Sequence, residues 1–191
     1  MHPPLRLPPE CSLALLPKIR IWWLVFIPYC VIIIVMQISD AGIIRLIERI
    51  GEHYRSNISS RYIRPALLQL PFDNQSWDLM DDLTEKPPAQ AIHLDELYRE
   101  IMAAAHFVAI VRRELPSIRS RVSRSDHTSS DKVLREMAVN NFASNLQVFA
   151  DLLNELFIKL VEIDKAGAKG KMPLHARMPE LTNVGRLLVG G

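Results

Sequence analysis

Six histidines, two cysteines and 21 acidic residues are the side chains from which this 191-residue chain could build a metal or catalytic site. Two imidazoles share an ion most readily when they stand close in sequence, as at i and i+4 on one helix face. His2, His53, His93, His106, His127 and His175 are all farther apart than that. A di-iron centre between helices needs Glu-x-x-His, but Glu96 and Glu100 are followed three residues later by Arg99 and Ala103. Acyl transfer needs a nucleophile held beside a base. There is no Gly-x-Ser-x-Gly, and Cys11 and Cys30 lie in or beside an apolar run. Phosphate-binding loops place glycines before a helix, whereas Gly167 and Gly170 come after one. The pattern therefore predicts no catalytic residue, metal ligand or cofactor site. An enzyme or lipid carrier with a pocket between helices would need converging polar groups that the pattern does not display.

Other polar features point to recognition. Asn57-Ile58-Ser59 and Asn74-Gln75-Ser76 are glycosylation sequons, with Asn57 and Asn74 as acceptors. The serine-rich stretch from Ser117 to Ser130 carries Arg119, Arg121 and Arg124, and reads as a loop for regulation or for contact with anionic lipid. Asn140, Asn141 and Asn145 read as a solvent-facing stretch, against the alternative of buried amides that set register. Net charge is +2, which makes no case for nucleic acid. Charge is uneven, however. Five acids lie between Phe72 and Lys86, and six bases between Arg112 and Lys132. Those two segments either attract each other or are solvated separately.

The elements that would position these groups are helical. Residues 1–20 hold five of the 13 prolines and read as an extended, mobile N-terminus. Every residue from Ile21 to Met36 is apolar or aromatic, and Gln37 and Ile38 extend the run to bilayer-crossing length. Lys18, Arg20, Trp22 and Trp23 flank it as interfacial residues would. The leading expectation is a single transmembrane anchor over 21–38. The alternatives are a buried core segment and a signal peptide cleaved after Ala41. Bases near the two ends of the run balance, so orientation is not indicated. The lack of cysteine after Cys30 leans towards a cytosolic body, and the sequons lean away from it.

Residues 39–71 show short amphipathic helices, capped by Ser39 or Asp40 and closed by Pro71. The first of them either extends the anchor or lies in the membrane surface. Residues 72–91 read as an acidic linker. Leu97, Ile101, Ala104, Val108, Val111 and Leu115 then fall on one helical stripe, with Pro116 as its expected end. Phe142, Leu146, Phe149, Leu153, Leu156, Leu160 and Ile163 form a longer stripe that Leu134 and Ala138 continue upstream. Leu152, Phe157 and Val161 widen that face beyond one partner helix. Residues 92–166 thus read as a two-helix hairpin or bundle core, and 167–191 as a tail with a weak short helix. The whole is an all-α chain: an N-terminal hydrophobic helix followed by a helical bundle. As function, it suggests a membrane-tethered adaptor or scaffold whose bundle meets an unknown protein partner or a second copy. The alternative is a secreted or lumenal bundle.

Overall fold

The computed structural model describes residues 37–38, 40–85, 92–123 and 129–190. The chain divides into two compact units, Met1–Val35 and Met36–Gly191, and the described helices belong to the second. The proline-rich N-terminus, the run from Ile21 to Met36, Arg124 and His127 lie outside the described residues.

The body is an all-α bundle. Helix α1 (Ala41–His53) runs directly into one turn of π-helix, Tyr54–Ile58. A short α2 (Arg64–Leu67) and α3 (Asn74–Glu85) follow. The two long helices are α4 (Leu94–Ser123) and α5 (Ser129–Gly167). Two 3-10 turns, His175–Arg177 and Pro179–Asn183, lead to α6 (Val184–Val189). Just before α4, Ile92–His93 pairs antiparallel with Gln37–Ile38, Gln37 opposite His93.

Asp40 starts α1 by accepting from the backbone N–H groups of Gly42 (2.7 Å) and Ile43 (3.2 Å), donors the helix cannot satisfy itself. The apolar side of α1 (Ile43, Leu46, Ile47, Ile50) is buried in the core, so it does not lie in a membrane surface. The long helices run antiparallel. Tyr98 meets Asp164 at one level and Arg112 meets Gln147 at another. The expected stripes are buried where these helices face each other, except that Leu115, Ala138 and Ile163 are half-buried and Leu134 is exposed.

Two expected boundaries are corrected. Residues 72–91 are not simply a linker, because Asn74–Glu85 is helical and buries Met80, Leu83 and Thr84. Asp73 accepts from Ser76 N–H at 2.7 Å and opens that helix. Nor does Pro116 end α4, which continues to Ser123. An interior proline costs about 3 kcal/mol, but Ile118 and Val122 are both fully or nearly buried beyond it. Two such burials contribute about 1.5–3 kcal/mol each and outweigh the lost bond. Arg119 and Arg121 therefore sit on a helix rather than in a loop.

The tail docks through Asp164, a buried carboxylate of α5. It accepts from Leu174 N–H (2.8 Å), His175 N–H (2.7 Å), the His175 ring (2.6 Å) and, more loosely, the Tyr98 hydroxyl (3.4 Å). Burial alone would raise its pKa. The backbone bonds from His175 and Leu174, with the His175 ring, outweigh that and hold it below the ordinary 3.8. A lowered carboxylate pKa adds stability above the unfolded-state value, and that stability is lost as pH falls through the folded-state value. Asp164→Asn should therefore unfold more easily than wild type at pH 5, in urea. The gap should close below about pH 4; a gap unchanged at pH 3 would contradict the ionised clip.

Gly51 sets how closely α1 approaches α3. A Cβ there would run into the carbonyl oxygen of Thr84, which also accepts from Arg55. Overpacking costs about 1–3 kcal/mol, against roughly 1 kcal/mol that alanine gains over glycine in a helix. Gly51→Ala should lower the urea midpoint without changing the slope. A midpoint equal to or above wild type would refute this close approach.

Candidate functional site

The π-turn at Tyr54–Ile58 adds a residue to the end of α1 and turns Tyr54 inward between the two long helices. Its ring lies 6.3 Å from Phe107 on α4 and 5.7 Å from Phe149 on α5, centroid to centroid. On the outer side of Tyr54 is a cavity of about 330 Å³. Arg55, Ser59, Arg64, Leu67 and Leu68 line one side, and Trp77, Asp81 and Glu85 of α3 the other.

Formal charge in the cavity lining is balanced, with Arg55 and Arg64 against Asp81 and Glu85. Burial first, then the charges of Asp81 and Glu85, push the Tyr54 phenol up to about 12, with Arg64 opposing. Tyr54 therefore stays a protonated phenol at neutral pH. Asp81 is raised by burial, then by Glu85, Asp78 and Asp82, again with Arg64 opposing. Among the described residues no histidine or cysteine lines the cavity.

A shallower depression lies between α1 and α5, around Arg49, Glu52, His53 and Asn57. His53 Nε2 is 2.8 Å from the Asn145 carbonyl oxygen, which can only accept, so Nε2 carries the proton. Nδ1 is then free to accept from the Asn57 amide at 3.3 Å. This relay fastens α1 to α5.

The sequence-predicted residues do not come together. Asn57 is half-buried in the π-turn and engaged with His53, whereas Asn74 is exposed at the start of α3. Arg119 and Arg121 are exposed on the last turns of α4. Asn140 and Asn141 are exposed, and Asn145 half-buried. His106 faces solvent. Among the described residues no group of three His, Cys, Asp or Glu side chains is placed to hold a metal ion. Sequence reasoning missed Asp164 and Tyr54. Asp164 gave one signal, an acid placed next to the apolar stripe at Ile163. Tyr54 gave none, because it follows an unbroken helical pattern.

No known protein family, characterised protein or solved structure matches this chain.

The raised Asp81 gives a test of the cavity's field. A carboxyl whose folded pKa is raised loses stability on ionising, above that pKa. Asp81→Asn should thus melt no lower than wild type at pH 7, with the two converging as pH falls below about 4. A lower melting temperature for the variant at pH 7 would mean Asp81 is held by a favourable cation instead.

Proposed function

We propose that the protein is a membrane-tethered helical adaptor that acts through protein–protein contacts, without catalysis. The observation that carries this reading is the run Ile21–Met36, sixteen residues without one charged or strongly polar side chain. Among the described residues no helix is long and apolar enough to cross a membrane. In this reading the run Ile21–Met36 supplies the anchor.

In this reading the anchor is shorter than 21–38. Gln37 and Ile38 are extended against Ile92–His93, so a helical anchor ends before them, not at 38. Sixteen residues at 1.5 Å each span about 24 Å, less than the roughly 30 Å of hydrocarbon. Snorkelling of Lys18 and Arg20 and local thinning of the bilayer would accommodate the difference. Protein contacts have a surface available in α5, where Val148 and Ile158 are exposed, and a second copy is one candidate for them.

Cleavage after Ala41, the secreted alternative, would remove the Gln37–Ile38 pairing and the Asp40 cap of α1. A lost cap alone costs about 1 kcal/mol. This favours retention of residues 37–41.

Alkaline carbonate extraction of the full-length protein tests the anchor. The wild type should stay in the membrane pellet, and Ile33→Arg with Ile34→Arg should move it to the supernatant. Release of the wild type would end the tethered reading.

A further inference from the structure

The α4–α5 hairpin carries basic and apolar side chains together at one end. Arg119 and Arg121 are exposed on the last turns of α4, and Lys132 on the first turns of α5. Arg135 follows, its guanidinium 5.5 Å from the centre of the Tyr62 ring. Asp131 and Glu136 are the acids at this end among the described residues, so cations outnumber them two to one.

Beside these charges stand Val133, Leu134 and Met137, which are 56%, 47% and 55% exposed. Met137 stands one turn from both Val133 (i+4) and Leu134 (i+3), so the three form one patch. Leu134 continues the stripe that is almost fully buried farther along α5, from Phe142 to Leu160, and Val133 and Met137 lie on the face beside it. Among the described residues no helix covers the three at this end. Aliphatic side chains bordered by arginine and lysine are the combination with which a helix binds a bilayer surface.

We propose that this end of the hairpin docks on an anionic lipid bilayer. Val133, Leu134 and Met137 enter the boundary between headgroups and acyl chains, while Arg119, Arg121 and Lys132 face the lipid phosphates. Charge complementarity selects this occupant. Gln37–Ile38 pairs beside the start of α4, and the patch lies at the far end of that helix. The thirty residues of α4 span about 45 Å. The proposal draws on the tethered reading only in that a bilayer is then always within reach.

The test is hydrogen exchange on the full-length protein reconstituted in phosphatidylcholine vesicles, with and without added phosphatidylserine. Amides of residues 129–138 should exchange several-fold more slowly when phosphatidylserine is present. Salt at about 1 M should remove that protection, since the screening length then falls to roughly 3 Å. Arg119→Gln, Arg121→Gln and Lys132→Gln combined should remove it too, as should Val133→Ser, Leu134→Ser and Met137→Ser combined. All these side chains are exposed, so the rest of α4 and α5 should exchange as in wild type. Equal exchange on the two lipids overturns the proposal, and so does protection that survives the charge substitutions. An acidic protein partner as sole occupant would give that equal result. If the protein fails to enter vesicles, the anchor has failed, and adding it to preformed vesicles still tests the hairpin end.

Discussion

Phe107 is fully buried near the middle of α4, and four other aromatic rings are arranged around it in one connected cluster. Phe72 lies 5.7 Å away, Trp77 5.6 Å and Tyr54 6.3 Å, with Phe149 reached through Tyr54. These rings come from the chain before α3, from α3, from the π-turn and from α5. Edge-on aromatic pairs contribute about 0.5–1.5 kcal/mol each beyond their burial. The cluster thus decides where four separate segments meet. Alanines 103, 104 and 105, all buried, let neighbours close in on α4 from more than one side. A helix covered on several sides explains why its apolar residues exceed a single stripe.

Segments too small to hold themselves are tied by polar groups. A six-residue helix such as α6 is unstable in isolation, since nucleation is not recovered in so few bonds. Val184 and Leu188 give it a buried side, and Leu181 in the turn before it is buried as well. Arg112 of α4 then donates to the Leu187 carbonyl at 3.0 Å and to Gln147 of α5 at 2.7 Å, joining three helices with one side chain. Asp164 does the same for the chain leading into α6. Both ties are charge-assisted, and each carries more than a neutral hydrogen bond.

Periodicity made the long helices legible, because burial follows the stripes from Leu97 to Val111 and from Phe142 to Leu160. It failed where composition misled. The acids of α3 hid the apolar spacing of Trp77, Met80 and Leu83. Pro116 suggested a stop, because the burial of Ile118 and Val122 depends on a partner helix that the local sequence does not reveal. The cavity beside Tyr54 was not legible at all. It is assembled from side chains up to 31 positions apart, between Tyr54 and Glu85, and by a π-turn with no composition of its own.

The two charged segments show which force set the arrangement. Mutual attraction would bring the acids of α3 to the bases beyond Arg112. Yet among the described residues no ion pair joins them. Trp77 meets Phe107 and Met80 and Leu83 are fully buried, which holds α3 against the earlier part of α4. Each such burial contributes about 1.5–3 kcal/mol, whereas an exposed ion pair contributes about 0–1. Apolar register therefore wins over charge. Its consequence is that acids and bases are solvated apart, so neither neutralises the other. Among the described residues, the basic end of the hairpin therefore keeps its charge unneutralised by α3.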